Sequence, residues 1–110
     1  MKFQIYTIFL MSLVLFAAKI LANENPYVLV IKDHKFEPAQ LNIPVNTKVK
    51  ICIENQDSTP EEFESFQLNR EKLVTSKGKI YVFIGPLKPG AYKFFGDFHK
   101  DTAQGEFIVK

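Results

Sequence analysis

The sequence has 110 residues, with 14 basic and 12 acidic side chains and a formal net charge of +2. This length fits one domain. The near balance of charge, without a clustered basic face, argues against a nucleic-acid partner. The single cysteine, Cys52, excludes an internal disulfide. The stability of the domain must therefore come from its apolar core.

The first 22 residues predict a secretory signal peptide. Lys2 supplies a positive start, residues 3–18 are uncharged and apolar, and the small residue Ala22 suits a cleavage site. The apolar run is shorter than the roughly 20 residues of a membrane span. Lys19 lies unusually near the cut, so a retained anchor is the alternative. We expect a mature domain of residues 23–110 in the periplasm. Cleavage removes two lysines and no acid, which brings the formal charge to about zero.

Two segments in the first half of the domain have clear strand patterns. Residues 27–31, YVLVI, form an apolar run that predicts a strand buried on both faces. Residues 48–55 alternate instead, with Val49 and Ile51 facing the core. Cys52 falls on the polar face of that strand. We expect it to be a half-exposed free thiol without a role.

The remaining segments also favour strands over helices. Further strands are predicted at 40–43, 61–68, 79–84, 91–97 and 106–109, with turns at 36–38 and 45–47, a loop at 55–60 and a single helical turn, REKLV, within 69–78. The alternation in 61–68 places Glu62 and Glu64 on one face and Glu61 and Phe63 on the other. No sustained helical period occurs, which predicts an all-β class.

The segment 86–105 combines a turn, an aromatic strand and a polar loop. Tyr92 follows a Pro-Gly turn at a strand start, which suits a tyrosine corner between two sheets. Phe94 and Phe95 place rings on both faces, so we expect a central strand, with Phe98 also in the core. Gly96 between the rings suggests a close backbone approach or a bulge. Together with about seven short strands, this predicts a Greek-key β-sandwich.

Several motifs of the mature chain resemble the cupredoxin-like domain. They are FEP at 36–38, NQD at 55–57, LKPGAY at 87–92 and Gly105 before the last strand. Two further segments, PEEFES at 60–65 and FFGDFH at 94–99 with DTAQG at 101–105, resemble the EfeO-type subgroup found beside bacterial ferrous-iron uptake systems. The resemblance implies an accessory role in iron uptake. The partner it implies is a membrane iron permease or another periplasmic uptake component.

The chain departs from the blue-copper members of this family. Glu61 or Glu62 stands where they place a histidine, and Gly96 stands at the position of their thiolate cysteine. Their loop methionine falls near Gln104, where this chain has no methionine. Only His99 remains as a candidate imidazole ligand. A blue-copper centre needs a cysteine thiolate and two imidazoles. The sequence therefore excludes a blue electron-transfer site.

A set of acidic residues and one histidine is left as the candidate metal site. Its members are Glu61, Glu62, Glu64, Asp97, His99 and Asp101. Carboxylates with one imidazole suit iron or manganese, while copper(II) and zinc compete at such sites. The cofactor we expect is an iron or copper ion. The resemblance implies that both acidic regions meet at one pole; simple strand counting puts them at opposite poles unless residues 69–78 carry the chain back.

Each candidate residue has a simpler interpretation. The glutamates of 61–64 suit a solvated edge that discourages strand pairing, and Asp97 and Asp101 suit turns that bond their own backbone. His99 suits a hydrogen-bonded surface histidine, and His34 is expected to be a plain surface residue. The alternative function is a metal-free module that contacts a partner protein. We expect neither an enzyme nor a small-molecule substrate, because no Ser-His-Asp or thiol-histidine set is visible and a ferroxidase needs a redox metal.

Overall fold

The computed structural model describes residues 25–110, so the predicted signal peptide lies outside the described part of the chain. Within residues 25–110, no helix is long and apolar enough to cross a membrane. The described residues form nine strands: β1 (Tyr27–Lys32), β2 (Lys35–Glu37), β3 (Gln40–Ile43), β4 (Val49–Asn55), β5 (Glu61–Ser65), β6 (Arg70–Val74), β7 (Lys79–Ile84), β8 (Gly90–Gly96) and β9 (Gln104–Val109).

The strands form two sheets. The first sheet has the order β2-β1-β4-β7, and the second has the order β3-β9-β8-β5-β6. The β1–β4 and β3–β9 pairs are parallel, because the chain crosses between the sheets after β2. The predicted all-β sandwich is confirmed. The strand number is nine rather than about seven because two short segments, β2 and β6, also pair.

Aromatic side chains fill the space between the sheets. The Phe94 ring lies 4.9 Å from Phe36, 5.4 Å from Phe63 and 4.6 Å from Phe107, measured between ring centroids. Burying each such ring contributes about 1.5–3 kcal/mol. Phe94 can sit at the centre because β8 lies between β9 and β5. The predicted central strand is therefore confirmed.

Three local predictions are wrong, and tertiary pairing explains each. The segment REKLV is not a helical turn but strand β6, which pairs along the whole of β5. Residues 36–38 do not simply turn, since Phe36 belongs to β2 and pairs with Ile31. The strand at 27–31 is not buried on both faces. Val28 is 45% exposed, because none of the strands in residues 25–110 covers the outer face of the first sheet.

Three side chains differ in burial from expectation. Phe95, expected in the core, is half-buried on the outer face of the second sheet, because only Phe94 of this pair points inward. Cys52 is 7% exposed rather than half-exposed. It lies in β4 between Val28 of β1 and Tyr81 of β7, and these larger neighbours shield the small thiol. Phe98 was expected in the core but is 48% exposed, because β8 ends at Gly96 and Phe98 lies in the following turn.

The tyrosine corner is confirmed. The Tyr92 hydroxyl donates a hydrogen bond to the Lys88 carbonyl oxygen at 2.8 Å. This bond ties the start of β8 to the preceding turn, as such corners do. The other end of β8, at Gly96, lies at the pole described next.

Candidate functional site

The start of β5 and the end of β8 meet at one pole of the sandwich. The Asp97 backbone N–H donates to the Glu62 carbonyl oxygen at 2.9 Å, which joins the loop after β8 to β5. The meeting implied by the resemblance is therefore confirmed. Strand counting gives the same result once β6 is recognised, because this strand carries the chain back across the molecule.

Glu61 points into the sandwich at this pole and is 1% exposed. Its Oε2 lies 2.6 Å from Nδ1 of His99, and its Oε1 accepts the backbone N–H of Phe98 at 2.9 Å. Oε1 also accepts the N–H of Glu62 at 3.0 Å. Both carboxylate oxygens are thus hydrogen-bonded, which offsets the cost of burying them. Glu61 organises the loop that carries His99.

Small residues make room for this carboxylate. A Cβ at Gly96 would lie 2.5 Å from Cδ of Glu61 and 2.8 Å from Cβ of Ala103. Ala103 is itself fully buried. Gly96 does permit a close approach, but the approaching group is the Glu61 side chain rather than a backbone segment, and no bulge is needed to explain it. The carboxylate of Glu61 therefore occupies the space beside the end of β8.

His34 is part of this pole, which the sequence did not predict. Its ring stacks on the His99 ring with a centroid separation of 3.5 Å and an interplanar angle of 12°. Asp57 accepts the backbone N–H groups of Asp33 and His34 at 2.8 and 3.0 Å. Burial acts to raise the pKa of Asp57, but these hydrogen bonds hold it below its usual value. No local sequence signal links a histidine in the first hairpin turn to His99.

Glu62, Glu64 and Asp97 lie together at the outer face of the second sheet. One carboxylate oxygen from each of Glu62, Glu64 and Asp97 lies within 4.8 Å of the others, and all three side chains are half-buried. We call these three residues the carboxylate cluster. Glu71 faces Glu64 from β6 and lies beside it. Asp101 is exposed in the loop and lies outside the cluster. Five of the six predicted residues thus fall into two groups, Glu61 with His99 and the carboxylate cluster, and Asp101 belongs to neither.

Negative charge is concentrated at the carboxylate cluster. A hydrogen bond with Glu71, burial, and repulsion from Glu71, Asp97 and Glu64 raise the pKa of Glu62 to about 7. Burial and repulsion from Glu71 and Asp97 also raise the pKa of Glu64, while Lys100 opposes that shift. The Lys100 ammonium lies 3.2 Å from the Asp97 carboxylate but is largely exposed. A bound cation would relieve the remaining repulsion.

The pole does not fit a blue-copper centre. Such a centre needs a thiolate, and Cys52 lies within β4 of the first sheet. Gly96 at the end of β8 has no side chain, and Nδ1 of His99 is engaged by Glu61. The carboxylate cluster fits a different group of ions, because hard divalent cations prefer oxygen ligands.

Comparisons with known proteins agree with the fold. A family model described as cupredoxin-like domain matches residues 5–109. The chain is 53% identical over 81 residues to an uncharacterized protein of Rickettsia prowazekii (strain Madrid E). That match covers 74% of this chain, which spans 65% of the relative's length.

Solved structures of cupredoxins show the same fold. A reduced amicyanin variant superposes with a TM-score of 0.64 at 15% identity, covering 78% of this chain and 83% of amicyanin. A purple cupredoxin from Nitrosopumilus maritimus superposes with a TM-score of 0.59 at 21% identity, covering 76% of this chain and 99% of its own.

Proposed function

Because the chain belongs to the cupredoxin-like domain family, we propose that it binds a hard divalent cation on the outer face of this fold. The single observation that carries the proposal is the carboxylate cluster, in which oxygens of Glu62, Glu64 and Asp97 lie within 4.8 Å of one another. Ferrous iron and manganese are the ions that this donor set suits.

The electrostatics of the cluster support cation binding. The pKa of Glu62 is raised by a hydrogen bond with Glu71, by burial and by nearby like charges, and the pKa of Glu64 is raised by burial and by nearby like charges. Holding such groups together disfavours their charged forms unless a cation is present. The alternation of β5 places Glu62 and Glu64 on the same face, and the backbone hydrogen bond from Asp97 to Glu62 holds Asp97 beside them.

The biological role we propose is that of an accessory protein of iron uptake. The support for this role is the resemblance to the EfeO-type subgroup, carried by residues 60–65 and 94–105, the segments that contain the carboxylate cluster and Glu61 with His99. We propose export to the periplasm by the N-terminal segment. The proposed partner is a membrane iron permease or another periplasmic uptake component, and the protein receives and transfers the ion without catalysing a reaction.

A calorimetric titration of the protein with ferrous iron, without oxygen, tests this proposal. Manganese and copper(II) are titrated in parallel. We expect one ion per chain, bound more tightly than about 1 mM, which corresponds to roughly 4 kcal/mol. Glu64→Gln should weaken binding at least tenfold. Glu37→Gln is the matched control, because Glu37 is an exposed strand carboxylate in the other sheet. Equal loss in both variants, or none in either, would contradict the proposed site.

A second function is favoured by the interior of the pole. Glu61 and His99 fill the space beside the end of β8 and satisfy each other. That arrangement suits a metal-free module whose pole contacts a partner protein. If none of the three ions binds, that result would support this alternative. Turnover of ferrous iron in oxygen would instead indicate a ferroxidase.

A further inference from the structure

Two exposed aromatic rings on the outer face of the first sheet lie beside lysine side chains. Tyr81 and Phe83 of β7 are 41% and 49% exposed. Nζ of Lys50 lies 4.5 Å from the centroid of the Tyr81 ring, and Nζ of Lys48 lies 5.3 Å from that of Phe83. An ammonium group is attracted to the face of such a ring. Positive charge and apolar ring surface are therefore held side by side.

Two further basic side chains reach β7 from β6. Nε of Arg70 donates to the carbonyl oxygen of Phe83 at 3.2 Å, and Nζ of Lys72 donates to that of Tyr81 at 3.3 Å. Within residues 25–110, none of the four basic groups forms an ion pair with a carboxylate. Glu71, between the two in sequence, is hydrogen-bonded at the carboxylate cluster instead. We call the following residues the basic aromatic patch: Lys48, Lys50, Arg70, Lys72, Tyr81 and Phe83.

The acidic side chains of the first sheet lie farther along it, toward the other end of β4. Glu54 is the cross-strand partner of Lys79, and Glu37 is that of Val30. The end of the sheet that holds the patch therefore carries a net positive charge. The sequence contains no basic run that predicts this, because the four basic residues come from two separate segments and are brought together only by the packing of β6 against β7.

The N-terminal segment joins the domain beside the patch. Asn25, the first described residue, lines the same depression as Lys48, Lys50 and Phe83. The sequence before it contains the apolar run 3–18, followed by residues 19–24 with one lysine and one glutamate. Fully extended, residues 19–24 span at most about 20 Å. Insertion of the apolar run into a bilayer would therefore hold the patch close to the lipid surface.

We propose that the basic aromatic patch docks the domain on the surface of an anionic phospholipid bilayer. Basic side chains near such a surface are attracted to its headgroups. Exposed rings beside the charges favour a lipid surface over a hydrophilic polyanion, because the lipid has an apolar layer beneath its phosphates. The carboxylate cluster lies on the outer face of the other sheet, so docking leaves it accessible. The proposal does not depend on whether an ion binds there.

Co-sedimentation of residues 23–110 with vesicles tests the proposal. The buried apolar side chains of the described part run from Leu29 to Val109, so this segment contains the whole sandwich. We expect binding to vesicles of phosphatidylcholine with phosphatidylglycerol that weakens as salt is added. Vesicles of phosphatidylcholine alone should bind at least about tenfold more weakly. Lys50→Gln should weaken binding to the anionic vesicles about fivefold, and Phe83→Ala at least about threefold.

Lys93→Gln and Phe98→Ala are the matched controls. Lys93 is an exposed lysine of the second sheet, and Phe98 is 48% exposed in the turn after β8. Each should change binding by less than about twofold. Equal losses in a control and its partner variant, equal binding to both kinds of vesicle, or no binding to the anionic vesicles would overturn the proposal. Self-association without vesicles that Lys50→Gln abolishes would assign the patch to a second copy, and would also overturn it.

Discussion

The Oε2 atom of Glu61 lies 2.6 Å from Nδ1 of His99, although the two residues are 38 positions apart in the chain. This contact joins β5 to the loop after β8 inside the sandwich. The other oxygen of the carboxylate receives the backbone N–H of Phe98. The buried carboxylate of Glu61 thus fixes the position of the loop after β8.

Replacing Glu61 should strongly destabilise the domain. Glu61→Ala leaves the Phe98 N–H and the His99 imidazole without their acceptor in a buried site. Leaving a hydrogen-bond donor of a buried site without its acceptor typically costs about 1–3 kcal/mol. Urea denaturation of the variant and wild type measures the change in the free energy of unfolding. Glu37→Gln, at an exposed strand position in the other sheet, should change stability by less than about 0.5 kcal/mol. Similar values for both variants would contradict the role of Glu61.

Gly96→Ala should destabilise the domain because its new Cβ would lie 2.5 Å from Cδ of Glu61. Overpacking of this kind costs about 1–3 kcal/mol. Thermal denaturation measures the loss. In a Glu61→Ala background the same substitution should cost less, since the main clashing side chain is gone. Strict additivity of the two changes would show that the clash is not with Glu61.

Tyr92→Phe removes the hydroxyl that donates to the Lys88 carbonyl oxygen at 2.8 Å. We expect a loss of about 0.5–1.5 kcal/mol in the free energy of unfolding, measured by chemical denaturation. Tyr81→Phe serves as the control, because Tyr81 is 41% exposed on the first sheet. If both variants lose the same stability, the tyrosine corner contributes nothing specific.

The stability of the folded protein should depend on Glu62 between pH 4.5 and about 7. Its pKa is raised from 4.5 to about 7, first by the hydrogen bond with Glu71, so the folded state holds a proton that the unfolded chain releases. The contribution of this group to stability is therefore fully present below pH 4.5 and is lost as the pH rises through about 7. The difference in melting temperature between wild type and Glu62→Gln, measured from pH 4 to 8 with a chelator, reports this effect. A difference that does not vary with pH would contradict it.

Cation binding should show the opposite pH dependence. A proton and a metal ion compete for the Glu62 carboxylate, so manganese affinity should fall as the pH decreases below about 7. Titrations at pH 6 and pH 8 measure this change. Glu62→Gln should bind manganese weakly at both values, and the pH dependence should shrink in that variant. A constant wild-type affinity would place the ion elsewhere.

Strand β4 was predictable because its apolar residues alternate with polar ones. Strand β7 was predictable because it is a short, mostly apolar run. In contrast, REKLV has residues that form helices well, and only its pairing with β5 makes it a strand. The tyrosine corner was predictable from Tyr92 after a Pro-Gly turn, since that motif acts through neighbouring residues. The place of His34 in the site was not predictable, because its ring stacks on His99, which lies in a turn far away in the sequence.

The sequence by itself determined the all-β class, the division of β5 into two faces, and the lack of a blue-copper ligand set, since strand period and residue type act locally. The tertiary structure decided which acidic residues meet. It separates Glu61, which faces inward to His99, from Glu62 and Glu64, which face outward to Asp97. The physical reason is that sheet pairing and burial depend on residues far apart in the chain, and no local pattern specifies them.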